Sequence, residues 1–327
     1  MSEDILVTRE GGLGRLTLNR PQALHALNTG MCRALTAALL DWRDDPAVEA
    51  VVIDHSGERG FCAGGDIRML ADSGAGDGAA AREFFFIEYR LNHLLFTYPK
   101  PVIAVMDGIT MGGGVGLSAP SRFRIATERT TFAMPETGIG LFPDVGGGWF
   151  LPRLPGRIGL WLALTGARIK AADCLHAGLA THYIPSDRLS ELRAEIAAKP
   201  SEIGGLLAKY QADPGVAPIA DHRGELDAAF GLGSVEAILA ALDSGSDWAR
   251  SQAGALKTKS PQTLKVAFRQ LALGAAAPDF AANMAMEYRI GARVVQRHDF
   301  LEGVRAVIVD KDNAPNWSPS TLEGVGE

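Results

Sequence analysis

The chain has 327 residues, 47% of them hydrophobic and 21% charged, a balance that excludes a disordered chain and suits one large domain or a core with a smaller companion. Its formal charge is −6 with no long basic run, which argues against nucleic acid as a partner. The three cysteines, Cys32, Cys62 and Cys174, form no even disulfide framework and no CxxC zinc pair, so a reducing cytoplasm is expected and no metal is.

Residues 5–8 and 15–18 read as two short strands joined through Gly11, Gly12 and Gly14, a hairpin signal. Asn28 and Thr29 can cap a helix running to about Trp42. Residues 51–54 form a buried-type strand that leads into Phe61-Cys62-Ala63-Gly64-Gly65-Asp66. A helix over 79–97 follows, closed by Tyr98-Pro99-Lys100-Pro101. The strand at 102–106 leads into Gly112-Gly113-Gly114, and 124–126, 131–134 and 181–184 read as further strands. From about Arg188 the pattern turns helical, with helical periodicity over 260–273, 279–296 and 299–310. A loop is expected at 214–218, and disorder only at the ends and over 72–78. The first ten residues have neither a basic n-region nor an apolar h-region, so a secretory signal is not expected there. No apolar run reaches the ~18 residues that a membrane helix needs. The repeated order of strand, glycine turn and helix predicts an α/β core over 1–200 and a helical region over 201–327.

Two glycine turns carry chemical potential. Ala63-Gly64-Gly65-Asp66 and Met111-Gly112-Gly113-Gly114 each follow an expected strand. Two N–H groups converging on one point would stabilise charge developing on a carbonyl oxygen. The alternative is that these glycines serve only tight turns and close packing. Neither a P-loop nor a dinucleotide fingerprint is present, and no GxSxG marks a nucleophile elbow.

Three carboxylates stand out. Glu136 lies in apolar company, where a carboxyl has a raised pKa and can work as acid or base near neutrality; an exposed turn glutamate is the other reading. Asp144 precedes Val145-Gly146-Gly147-Gly148, and a helix cap is its simpler reading. Glu88 shares a helix face with Phe84, Leu91 and Leu95, while Glu83 and Arg90 point elsewhere. A carboxylate in an apolar stripe implies a partner or a purpose, and a structural carboxylate bonded to backbone N–H groups also fits. The histidines show no ligand spacing, and Cys62 reads as a small buried thiol.

These motifs, in this order, resemble the enoyl-CoA hydratase/isomerase (crotonase) superfamily. The resemblance rests on Phe61-Cys62-Ala63-Gly64-Gly65-Asp66-Ile67, Pro101-Val102-Ile103-Ala104-Val105-Met106-Asp107-Gly108, Met111-Gly112-Gly113-Gly114, Pro135-Glu136 and Leu164-Thr165-Gly166. It spans about residues 5–317. Within the superfamily it is strongest to the branch that hydrolyses 3-hydroxyacyl-CoA thioesters, through 85–92, 107–118, 132–154 and 298–305. It implies a spiral of stacked ββα units with a helical C-terminal region. It also implies an acyl-CoA substrate whose thioester oxygen rests on the N–H groups of Gly65 and Gly113. Glu136 and Asp144 would be the working carboxylates, with Glu88 in the acyl pocket. Residues 21–27, including Leu27, and the backbone at Ala63, Asp66 and Ile67 would line the CoA. No cofactor is implied beyond the CoA of the substrate, and a homo-oligomer, trimer or hexamer, is.

One departure points to the reaction. The superfamily's hydratases use two glutamates, one of them three residues beyond the central glycine of the triplet. That position here is Gly116, while Glu136 is retained. The expectation is therefore hydrolysis of a short 3-hydroxyacyl-CoA, with 3-hydroxyisobutyryl-CoA, a valine-degradation intermediate, as the implied substrate. A hydratase or isomerase, or a non-catalytic CoA-binding or assembly protein on the same scaffold, are the alternatives.

Overall fold

The computed structural model describes residues 3–326. Its strands are β1 (Ile5–Glu10), β2 (Leu13–Leu18), β3 (Ala50–His55), β4 (Gly60–Cys62), β5 (Val102–Met106), β6 (Ile109–Met111), β7 (Phe123–Ala126), β8 (Thr131–Ala133) and β9 (His182–Tyr183). They form one sheet in the order β1-β2-β3-β5-β7-β9 and a smaller one in the order β4-β6-β8. The β1/β2 pair is the expected antiparallel hairpin, with Gly11 at φ +57 in its turn. The pairs from β2 to β9 along the larger sheet are parallel, as is β4 with β6. Such parallel pairing needs crossovers, and the intervening helices supply them.

The chain divides into two compact units, interleaved along the sequence. The first comprises the residues up to Gly65, Ile87–Phe132 and Ile169–Ala217. Its larger sheet presents Leu13, Val52, Ile103, Val105 and Ile125 to Leu192, Ile196 and Leu207 of the helices Leu189–Ala198 and Ile203–Tyr210. Asn28 caps the helix Thr29–Arg43 as expected, its Oδ1 accepting from the Met31 N–H at 2.8 Å.

The second unit comprises Asp66–Phe86, Ala133–Arg168 and the chain from Pro218 onward, and it is helical. The helix Pro261–Ala275 meets the short helix Gly147–Phe150 through glycine: a Cβ on Gly274 would fall 1.9 Å from the Gly148 carbonyl oxygen. The expected disorder at 72–78 gives way to order. The helix Ile67–Gly74 runs into it, and Ser73 accepts from the Ala81 N–H through its side chain and from the Gly78 N–H through its carbonyl. No described helix is long and apolar enough to cross a membrane.

Candidate active site

In the first unit, parallel pairing of β4 with β6 sets Cys62 beside Thr110, so the two glycine turns that follow leave neighbouring strands side by side. A Cβ on Gly113 would lie 3.2 Å from the Gly64 carbonyl carbon, 3.0 Å from Leu27 Cδ1 and 2.8 Å from Glu88 Oε1. Gly113 is also the first residue of the helix Gly113–Ser118, where an N–H has no acceptor inside the helix. Gly65 forms a parallel bridge with Leu27, held by the Leu27 N–H donating to the Gly64 carbonyl at 2.8 Å. The Ala63 N–H donates to the Leu24 carbonyl at 3.0 Å. Of the residues expected at the site, Gly65, Gly113, Glu88, Leu27 and Ala63 thus gather in one unit.

Glu88 lies on the helix Ala79–Phe96 and is buried with Phe84, Leu91 and Leu95, as its stripe predicts, while Glu83 and Arg90 are exposed. Cys62 is buried, and desolvation pushes its thiol pKa up to about 12. A thiol so held is protonated at neutral pH and is no nucleophile.

The remaining expected residues belong to the second unit. Asp66 caps the helix Ile67–Gly74, its Oδ1 accepting from the Met69 N–H at 3.3 Å, and Ile67 opens that helix. Glu136 begins a 3-10 turn, Glu136–Ile139, directly after β8. The Thr137 carbonyl accepts from the Ser260 N–H at 3.1 Å, which anchors that turn. Glu136 is buried, and its Oε2 has no hydrogen-bond partner among the described residues. Its pKa is raised well above the ordinary range, first by desolvation and then by the charge of Asp144.

Asp144 is buried but is not the helix cap that its sequence context suggests. The cap position of Gly147–Phe150 is Gly146, with no side-chain bond there. Instead the Glu287 carboxylate, from the helix Phe280–Val294, accepts from the Gly146 N–H at 2.7 Å and the Gly148 N–H at 2.8 Å. Sequence reasoning passed over Glu287. Its signal was the one that picked out Glu88: Phe280, Asn283, Met284, Glu287, Gly291 and Val294 are the buried face of one helix, and a carboxylate interrupts it.

A cavity of about 120 Å³ lies elsewhere in the first unit, between Val52 and Ile103 of the sheet and Leu192 and Ile196. None of the expected site residues lines it. Its charges are already matched: Arg15 and Arg193 approach Asp54 at 2.8 and 3.6 Å, and Asp107 pairs with Arg129.

The first unit thus holds the paired glycine turns, and the second a buried acid with an open oxygen. The chain belongs to the enoyl-CoA hydratase/isomerase family, whose model matches residues 13–327. It is 46% identical to the mitochondrial 3-hydroxyisobutyryl-CoA hydrolase of Xenopus laevis, over 98% of this chain and 86% of that protein. The Homo sapiens protein of the same name is 41% identical, over 100% of this chain and 87% of that one. The crystal structure of a carnitinyl-CoA dehydratase from Mycobacterium thermoresistibile superposes with a TM-score of 0.95 at 41% identity, covering 100% of this chain and 94% of that one. An enoyl-CoA hydratase from Rhodobacter sphaeroides 2.4.1 gives a TM-score of 0.91 at 41% identity, covering 99% and 95%. The fold is the crotonase-like α/β fold expected from the motifs.

Proposed function

We propose that this chain hydrolyses a short 3-hydroxyacyl-CoA thioester, 3-hydroxyisobutyryl-CoA before others. The observation that carries the reading is the buried Glu136 carboxyl with an unengaged Oε2, in a chain with glycine at position 116. Similarity at 41–46% identity to hydrolases of that name supports the substrate.

In this reading the N–H groups of Gly65 and Gly113 hold the thioester oxygen and take up the charge of the tetrahedral intermediate. Glu136 attacks the thioester carbon to give an anhydride that water then cleaves, returning the carboxylate, or it takes a proton from water that attacks the carbon directly. The C–S bond breaks, CoA leaves as the thiol after gaining a proton, and water supplies the hydroxyl of the free acid. Asp144 holds the substrate hydroxyl or positions the water, and Glu88 meets the polar end of the acyl group. Leu27, Ala63, Asp66 and Ile67 line the CoA. The chemistry uses no cofactor beyond the CoA carried by the substrate.

Thiol release from a panel of short acyl-CoAs tests the reading. Release from 3-hydroxyisobutyryl-CoA, lost in Glu136→Gln, is expected; no release, or an unimpaired variant, would refute it. A hydration reading draws on the solved relatives described as dehydratase and hydratase. Gly116 opposes it, because a second water-activating carboxylate is missing there. Loss of enoyl absorbance from crotonyl-CoA without thiol release would favour hydration.

The compartment we propose is a reducing cytoplasm, from three buried, unbridged cysteines. The hydrolases compared are named mitochondrial, and imaging of the tagged chain decides between the two. A homo-oligomer, trimer or hexamer, is proposed from the family resemblance, and sedimentation tests it.

A further inference from the structure

Four hydrogen-bond donors among the described residues converge on Glu287. Its Oε2 accepts from the Gly146 N–H at 2.7 Å. Its Oε1 accepts from the Gly148 N–H at 2.8 Å, Asn283 Nδ2 at 2.9 Å and Gln270 Nε2 at 3.3 Å. An ionised carboxylate accepts on both oxygens as a charged partner, whereas a protonated one carries a donor on one of them and accepts more weakly. Gln270 makes a second contact: its Nε2 donates to the Pro143 carbonyl at 2.7 Å. Pro143 immediately precedes Asp144, and Gly146 follows it by two residues. The main chain carrying Asp144 is therefore gripped on both flanks by side chains from two helices.

The gripped segment needs restraint. Val145 has φ +52 and Gly146 φ +94, both left-handed. A β-branched residue in that region is an outlier that persists only where its surroundings fix it. The bend sets the direction in which the Asp144 side chain leaves the backbone. Glu287 is fully buried and far along the chain, so a purely apolar residue would pack there at less cost than a charge.

We propose that Glu287 is a positioning residue: as a carboxylate it holds the Gly146 and Gly148 amides and thereby fixes Asp144 for the reaction. This rests on the hydrolase reading above, in which Asp144 works on the substrate. The grip depends on ionisation. A proton on either oxygen would place a donor among donors and weaken the bonds that the Gly146 and Gly148 amides make to it. Burial pushes the Glu287 pKa up to about 7, helped by the charge of Asp144 and opposed by the bonds from Gly146, Asn283 and Gly148. Asp144 is the charged group acting on it; Asn283, from its own helix, and Gln270, from the helix Pro261–Ala275, are neutral.

The test compares Glu287→Gln and Glu287→Asp with the wild type on 3-hydroxyisobutyryl-CoA. Glu287→Gln should lower kcat at least tenfold with KM changed less than about threefold, because substrate binding survives while Asp144 is misplaced. The wild type should lose kcat as pH falls through about 7, as Glu287 takes a proton and releases Gly146. Glu287→Asp should recover part of kcat and keep the limb near 7; Glu287→Gln should lose that component and keep only the acid limb that Glu136 imposes as the working carboxylate. A folded Glu287→Gln with wild-type kcat and pH profile would overturn the proposal. If Glu287→Gln does not fold, Gln270→Met leaves the carboxylate and removes the Pro143 contact. It should lower kcat several-fold at unchanged KM, and unchanged kcat overturns the clamp. A wild type that releases no thiol sinks the hydrolase reading instead. The clamp is then judged by hydrogen exchange: slow Gly146 and Gly148 amides that exchange faster in either variant support it, and unchanged rates refute it.

Discussion

Glu88 Oε1 stands 2.8 Å from the point that a Cβ on Gly113 would occupy. The pair explains why a glycine follows β6 here: the Leu27 methyl at 3.0 Å and the Gly64 backbone at 3.2 Å close the other sides of the same space. A Gly113→Ala variant must push the Glu88 side chain aside, yet it cannot move the Gly64 main chain cheaply. We expect a stability loss of about 1–3 kcal/mol, the usual cost of overpacking. Turnover should fall ~100-fold or more, because the N–H at 113 shifts with its backbone. A Glu88→Ala background should recover part of the stability loss, with a coupling energy of about 0.5 kcal/mol or more in a double-mutant cycle. Denaturant titration of the four proteins measures it, and strict additivity would mean that the two residues do not share this space.

Glu136→Gln should abolish thiol release and raise thermal stability. The Glu136 carboxyl is held well above its ordinary value, first by desolvation and then by Asp144. The folded state therefore binds this proton more tightly than the unfolded chain does. The stability contributed by the group is complete below the ordinary carboxyl value and is lost as pH rises through the folded one. As pH rises above the ordinary carboxyl value the group thus weakens the fold, and an amide in its place removes that burden. A gain of ~2–4 °C in Tm is expected above pH 7, shrinking toward pH 5, and calorimetry across that range checks it. A Tm below wild type at pH 8 would contradict the assignment.

Local signals carried much of the first unit. The hairpin β1/β2, the Asn28 cap and the strand β5 each announce themselves within a few residues of sequence. Glu88 was legible because eighteen helical residues, Ala79–Phe96, are enough to show a stripe. By contrast, β4 and β6 are three residues each, too short for any period to show. Yet their pairing places the two glycine turns together, so local patterns named the turns and only the family resemblance brought them side by side. Asp144 shows a different gap. Its neighbours suggest a local cap, whereas the amides after it are capped by Glu287, which is 141 positions from Gly146. A bond of that span depends on how helices pack, and no window of sequence contains it.

Cys62 separates proximity from participation. It adjoins the glycine turn, and its Sγ donates to the Gly64 carbonyl at 3.5 Å. Burial pushes its pKa up to about 12, so no thiolate forms in the working range. Cys62→Ala should keep kcat within about threefold of wild type while costing ~1 kcal/mol for the small void. Native protein at pH 8 should react with a thiol reagent only as fast as it opens. Rapid labelling, or a 100-fold loss of turnover in Cys62→Ala, would restore the cysteine as a nucleophile.

Val145 offers a test in which the usual order of residues inverts. Glycine is normally less stabilising than alanine by about 0.5–1 kcal/mol, because it loses more freedom on folding. At Val145 the native φ is +52, a conformation that alanine adopts under strain and glycine without it. Both substitutions remove the two buried γ-methyl groups of a residue that is 1% exposed, so that part of the transfer cost cancels, and glycine gives up one further carbon. What remains is backbone strain against chain entropy and that one carbon, and relief of a left-handed strain of about 1–2 kcal/mol offsets them. Val145→Gly should therefore unfold at an equal or higher denaturant midpoint than Val145→Ala. If alanine is the more stable by the ordinary margin, the segment does not hold its left-handed bend in solution. The direction in which Asp144 leaves the chain would then differ from the one described.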